Sequence, residues 1–232
     1  MCPFLSGAER ILFLTFNHPH TMDAETLRLN HDRYVETCRT HIHRQGLDDI
    51  LERLEQNGFF EAPSSASYHL NEPGGLCLHS LNVFDTAVTI YKHIAEPAIL
   101  GGTSPFTSEV SMESLAICTL FHDLCKVDMY HPSTKWKKSP EGRWVSYEGY
   151  DIHDNFPLGH GEKSVLLLYR YLHLTPNEML AIRWHMGMFD MGENGTPQRF
   201  AYYEAMAKSP LVAIVHSADM LASNLLEKTT EH

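Results

Sequence analysis

The sequence predicts an all-α fold, a helical bundle with one small β-hairpin insertion. Three observations predict it. Apolar residues recur at three- and four-residue intervals in most stretches between Ala24 and Leu226. Glycine, proline and capping residues fall between those stretches, where helices must stop and start. Alternation with period two is confined to one stretch, at about residues 134–148.

The elements follow in order. Residues 1–23 carry weak pattern and read as an N-terminal leader; residues 24–232 read as a single helical domain. Ala24 to Glu55 reads as two helices broken at Gly46, the second stopping at Gly58. Pro63, Ser64, Ser65, Pro73 and the pair Gly74-Gly75 mark a loop. Leu76 to about Ile94 reads as a helix, with Leu78, Leu81, Val83, Ala87 and Ile90 on one broad apolar face. A turn-rich stretch from Pro97 to Ser108 separates it from a strongly apolar helix over Ser111 to Lys126. The hairpin comes next, turning at Ser139-Pro140-Glu141-Gly142. Gly159 or Gly161 opens a helix running to about Leu174. Thr175-Pro176-Asn177-Glu178 is a helix start, with Thr175 as cap, Pro176 at the first position and Glu178 completing a capping box. After a glycine-rich loop from Gly187 to Gly195, Phe200 to Met206 and Leu211 to Leu226 form the last two helices.

Composition narrows the function. The 232-residue chain is long enough to bury a core without disulfides. Its five cysteines are an odd number without a CxxC pair, which reads as buried free thiols in a reducing cytosol, the expected compartment. No basic n-region opens the chain, and no apolar run reaches the length of about 18 residues that a membrane span needs. The formal net charge of -11 opposes a grip on long DNA or RNA; a small, metal-neutralised phosphate is less affected. Sixteen histidines raise the question of which ones stand at ligand-like places.

Three His-Asp dipeptides occur. His31-Asp32 lies on a polar stretch and reads as a solvated helix face, while His153-Asp154 sits in a loop. His122-Asp123 follows the apolar run Leu115 to Phe121, and a charge at the end of a buried helix must be paired or metal-bound. Further ligand types stand on neighbouring helices: His79 behind Gly74-Gly75-Leu76, His160 between two glycines, His185 near a helix end, and Asp219 inside the last apolar helix. Imidazole with carboxylate suits divalent first-row ions, here Mn, Fe, Co, Ni or Zn. Such a set is enough for one or two ions sharing a bridging carboxylate.

His79, then His122-Asp123-Leu124-Cys125-Lys126, then His160, His185 and Asp219, resembles the H…HD…H…H…D pattern of the HD-domain metal-dependent phosphohydrolases of the two-metal type. The resemblance covers about Gly74 to Leu226. It implies an HD-type helical bundle and hydrolysis of a phosphate ester by a metal-activated water. Asp123 would bridge two ions, with His79, His122 and Asp219 on one and His160 and His185 on the other. Lys126 would serve the phosphate or the leaving oxygen. Cys125 stands where many members have glycine, a departure expected to alter packing and not ligation. The GYP motif is missing, so cyclic-di-GMP hydrolysis is not implied.

The hairpin adds a substrate expectation. Lys135, Lys137, Lys138 and Arg143 form a local basic patch interleaved with Trp136, Trp144 and Tyr147. Aromatic faces stack bases and cations neutralise phosphates. Lys126, Lys135, Lys137, Trp144 and Tyr147 are thus candidate substrate-binding residues, and a nucleotide or short oligonucleotide the candidate substrate. The same alternation fits a half-exposed strand pair. His131 reads as a surface residue; His69, in the loop before Gly74, is within reach of the site but favours surface exposure; Glu162 and Lys163 read as serving the helix dipole and solvent; and His216, on the face of Asp219, reads as a satisfied core histidine in preference to a partner of the ligands. Two other functions remain open at this stage: an HD-fold di-iron oxygenase, and a catalytically degenerate module that senses a nucleotide.

Overall fold

The computed structural model describes residues 22–191 and 196–228. The leader lies outside the described residues apart from Met22 and Asp23, as do the last four residues of the predicted glycine-rich loop. The architecture is the predicted one, a mainly helical bundle with a two-stranded hairpin. The helices are α1 (Ala24–His41), α2 (Leu47–Gln56), α3 (Gly75–Ile90), α4 (Glu96–Leu100), α5 (Met112–Leu120), α6 (His160–Tyr169), α7 (Pro176–Arg183), α8 (Thr196–Lys208) and α9 (Pro210–Leu221). The strands are β1 (Tyr130–Lys138) and β2 (Trp144–Ile152). Among the described residues no helix is long and apolar enough to cross a membrane.

Local chemistry sets the boundaries. Asp23 accepts from the Thr26 amide and starts α1, and Gly46, at φ 94, turns the chain into α2. Ser111 caps α5. Thr175 and Glu178 form the reciprocal capping box that the spacing predicts for α7.

The centre of the bundle is α3, which packs against α9, α5 and α1. Beside it α7 packs on α9, α6 and α5. Leu76, Leu81, Leu115, Ile117, Leu120, Leu168, Ile182, Val212 and Val215 are buried at this junction. Each such side chain contributes about 1.5–3 kcal/mol in transfer free energy.

Several boundaries differ from the sequence reading; a short helix, α4, stands at the start of the stretch read as turns, and α8 begins at Thr196, ahead of Phe200. The apolar helix predicted to reach Lys126 stops at Leu120, and a 3₁₀ turn follows over Leu124–Asp128. The Tyr34 hydroxyl donates to the Leu120 carbonyl at 2.7 Å and satisfies an orphan acceptor of that helix end. The helix predicted to run to about Leu174 ends at Tyr169. The hairpin is longer than about 134–148, because Pro132 and Gly149 are tolerated in a two-stranded ribbon where both strands are edges.

Candidate metal centre

Five elements converge on one buried point. His79 lies on the second turn of α3 and Asp219 on α9. His122 and Asp123 occupy the break after α5, His160 is the first residue of α6, and His185 follows the end of α7. His79, His122 and His185 have no solvent exposure, Asp123 is 2% exposed and Asp219 8%. Gly161 permits part of this: a Cβ there would stand 2.2 Å from the Arg183 carbonyl oxygen, so only glycine lets α6 bring His160 against the end of α7.

Backbone carbonyls fix two of the imidazoles. His122 Nδ1 donates to Thr119 O at 2.7 Å, and His185 Nδ1 donates to Ile182 O at 2.7 Å. A carbonyl only accepts, so the proton is on Nδ1 and the Nε2 lone pair faces the centre. His79 is fixed by charge instead: its Nδ1 lies 3.0 Å from both oxygens of Glu227, of which Oε1 also accepts from Asn82 Nδ2 at 3.0 Å. His79 Nε2 and His122 Nε2 then face each other at 3.1 Å. Two lone pairs at that distance repel unless a proton or a cation lies between them. A separation of ~3 Å is what two ligands at ~2 Å from one ion and at right angles to each other adopt.

Asp123 divides its oxygens between two sides. Oδ2 takes the Lys126 ammonium at 2.6 Å and faces His122 Nε2 at 3.3 Å and His79 Nε2 at 3.4 Å. Oδ1 faces His185 Nε2 at 3.3 Å and His160 Nε2 at 3.7 Å. Asp219 Oδ1 lies 3.3 Å from His79 Nε2. Asp123 Oδ1 and His185 Nε2 are buried without a hydrogen-bond partner. Burying such atoms unsatisfied costs about 1–3 kcal/mol each, and a divalent cation removes that cost.

The donor atoms form overlapping sets whose members lie within 4.8 Å of one another: His79, His122 and Asp123; His122, His185 and Asp219; Asp123, Cys125 and His160; and His69, His79 and Glu227. Side chains of this type so placed fit a divalent transition metal. Burial would lower the His79 pKa, but the charge on Glu227, then hydrogen bonds to Asp123, Asp219 and Glu227, raise it well above its ordinary value. Burial likewise opposes a charged His185, and Asp123 outweighs it and raises that pKa. Burial works against the Asp123 carboxylate, and Lys126 with the surrounding imidazoles overrides it, holding the group well below the usual carboxylate range. Without metal the centre is held together by protons, which an ion must displace.

The structure therefore gathers all six predicted ligand residues at one point. Lys126 is there too, bonded to Asp123 and buried, and it shares that face through a 3₁₀ turn in place of the predicted α-helix. The hairpin residues are engaged with their own neighbours. Lys135 pairs with Asp151, Lys137 lies 5.8 Å above the Tyr147 ring and Lys138 5.6 Å above Trp144. The hairpin packs on the 3₁₀ turn at its root, where Tyr130 adjoins Lys126.

The sequence reading misplaced or missed several groups. Glu227 was missed; it follows the apolar face of the last helix and reaches His79 across 148 residues of sequence. His69, read as a surface residue, stacks 5.0 Å from His79, and burial pushes its pKa down to about 4. Lys163, read as a solvated helix start, is 5% exposed and donates to Asp154 at 2.6 Å. Glu162 pairs with Arg183. His216 is half-buried, not a core residue, and its Nδ1 donates to the backbone carbonyl of His185 at 2.6 Å, which places it behind that predicted ligand.

Fold and site together define a helical protein with a His/Asp metal-ligating centre. The model of the HD domain family matches residues 78–224, more than half of the chain, and the protein belongs to that family. No curated protein and no solved structure matches it. Family membership and the clustered donors support metal-dependent hydrolase activity in general.

Proposed function

We propose that the protein is a two-metal phosphohydrolase acting on a small phosphate ester, with a nucleotide or short oligonucleotide as the substrate class. One observation carries the reading. Asp123 presents Oδ2 to His79 and His122 and Oδ1 to His160 and His185, the arrangement of a carboxylate shared by two ions.

Divalent ions held there supply Lewis acidity and a water whose pKa falls toward neutrality. The chain's own residues do the rest. Lys126 fixes Asp123 through its 2.6 Å contact and keeps a positive charge at the site. When a phosphate ester enters, that ammonium is within reach of a phosphoryl or leaving oxygen and stabilises developing negative charge. The carbonyls of Thr119 and Ile182 hold His122 and His185 in the tautomer that leaves Nε2 available. His160, with 22% of its side chain exposed, stands on the open side of the centre, where substrate must arrive. The aromatic and basic residues of the hairpin are the proposed base- and phosphate-binding group.

Elemental analysis of wild type beside Asp123→Ala is the first test. About two equivalents of transition metal, lost in the variant, support the reading and direct a screen of phosphomonoesters and phosphodiesters. Absence of metal after reconstitution overturns it. Oxygen-dependent turnover by an iron-loaded protein points to the oxygenase chemistry instead, and nucleotide binding without turnover at full metal occupancy to a sensing module.

A further inference from the structure

The two sides of Asp123 are unequally furnished. On the Oδ2 side, His79, His122 and Asp123 close to within 4.8 Å, and Asp219 adds an oxygen 3.3 Å from His79. On the Oδ1 side, His160 is the outermost imidazole, at 3.7 Å, and its ring centroid is 6.2 Å from that of His185. Asp123, Cys125 and His160 form a further set beside them, with one donor atom of each within 4.8 Å of the others.

We propose that the Cys125 thiolate is a ligand of the second ion, which makes that centre a mixed nitrogen, oxygen and sulfur site. The inference rests on the two-metal reading above and adds a donor to it. Asp123 Oδ1 is buried, lacks a hydrogen-bond partner and faces His160 Nε2 at 3.7 Å, so the thiol belongs to a set with an unclaimed carboxylate oxygen and is not an isolated group. Metal–sulfur and metal–nitrogen bonds of about 2.3 and 2.0–2.1 Å put two donors of one ion at most about 4.4 Å apart, so donor atoms within 4.8 Å of one another need only a small closure to share it. The sulfur is also held in place. The Cys125 amide donates to the fully buried Ser164 Oγ at 3.1 Å, which fixes the backbone that carries the thiol.

The chemistry has a definite consequence. A thiolate is a soft donor, and it shifts a site of imidazole and carboxylate toward zinc, cadmium, cobalt or iron and away from manganese or magnesium. The thiol gives up its proton as the ion binds. The two centres of this protein should therefore differ in metal preference, the Asp219 side harder and the Cys125 side softer.

Titration of the metal-free full chain with cobalt(II) tests this without assaying turnover. Wild type at two equivalents is expected to show a near-ultraviolet thiolate-to-cobalt charge-transfer band. Cys125→Ser and Cys125→Ala should lose it, while Cys118→Ser, altering a buried thiol bonded to the Glu178 carbonyl, should keep it. In Cys125→Ala the weaker cadmium equivalent should lose at least the about 10- to 100-fold that removing an outer-shell partner costs, with the tighter one unchanged. Two bound equivalents of cobalt with no band in wild type would overturn the ligand assignment and leave the two-metal reading standing. A band that survives in both Cys125 variants would do the same. Failure to take up cobalt at all would overturn both. The wild-type spectrum decides the main point even if a variant does not fold.

Discussion

Two buried clusters of charge lie side by side in this bundle, and they are completed in different ways. In the first, Glu178 on α7 has no solvent exposure, and donors claim both of its oxygens. Oε1 accepts from Arg44 Nη2 at 2.6 Å and Ser114 Oγ at 2.6 Å; Oε2 accepts from Arg44 Nη1 and the Thr175 amide, both at 2.7 Å. Arg44 also reaches the His173 carbonyl and Glu113. In the second, Asp123 Oδ1 and His185 Nε2 go unclaimed, and His79 Nε2 and His122 Nε2 face each other at 3.1 Å, with a proton or a cation needed between them. The comparison separates a charge cluster that the polypeptide closes by itself from one that needs something added. Both clusters bury a carboxylate and hold its pKa down; they differ in whether every oxygen and nitrogen is satisfied.

The largest break in this contrast is expected from Asp123→Ala, which removes the only residue common to both sides of the centre. Metal content should fall to background. Hydrolysis should fall by more than about 100-fold, the upper end of what loss of a supporting group costs. Metal retained at wild-type stoichiometry would remove the bridging role. Arg44→Ala breaks the other cluster and should act on stability alone. It leaves Glu178 buried and short of donors, a change that costs about 3 kcal/mol, the lower end for a broken buried pair because Arg44 keeps 20% side-chain exposure. Denaturant melts should show that loss while the folded fraction still binds metal as wild type does.

A smaller effect sharpens the comparison. Glu227→Gln keeps an acceptor for His79 Nδ1 and removes the charge, so metal affinity should drop by about 10- to 100-fold with little change in fold. Competition with a chelator measures it. An unchanged affinity would reduce Glu227 to packing.

Much of this was legible in the sequence, for a physical reason. The six predicted ligand residues are polar groups on or beside apolar helix runs, where burial forces a partner, and the capping box of α7 is a local signal. The illegible parts are those fixed only by the tertiary path. Glu227 lies in the segment after α9 that folds back until the Lys228 carbonyl accepts from the Leu70 amide at 2.9 Å; no spacing encodes that return. His69 comes to the centre in a loop whose pattern says only that it is not helical. The break after Leu120 was hidden because apolar periodicity continues through Phe121 and Leu124, while the stop is made by Tyr34, 86 residues away.

The two clusters should also answer pH differently. His79 and His185 have pKa values raised from 6.5 in the metal-free protein, so their stabilisation is fully present below that value and is lost as pH rises through the raised values. Asp123 and Asp219 are lowered from 3.8, so theirs is present above that value and lost as pH falls. Glu178 is lowered from 4.5, and its contribution too is lost only in acid. Metal binding needs the imidazoles neutral, so the ion gains affinity with pH while the metal-free centre weakens. Thermal melts with and without metal should diverge as pH rises above 6.5. A gap that stays constant across that range would mean the imidazoles are not ligands.

The smallest effect on the centre is expected from the hairpin, which is where substrate preference is tested. Register places Trp136 opposite Ser146 and Trp144 opposite Lys138, so the two indoles are diagonal neighbours on one face, 62% and 63% exposed. Side chains so exposed add little to stability, and Trp144→Ala should change it by less than about 0.5 kcal/mol and leave metal content untouched. If the face stacks a base, the variant loses about 1–3 kcal/mol of ground-state binding. KM for a nucleotide should then rise by about tenfold, while KM for a small ester without a base stays as in wild type. Equal KM values for the nucleotide in variant and wild type would leave the hairpin a solvated strand pair and move the search for specificity to the surroundings of His160. The two substrates, compared on one variant, separate recognition of the base from chemistry at the phosphate.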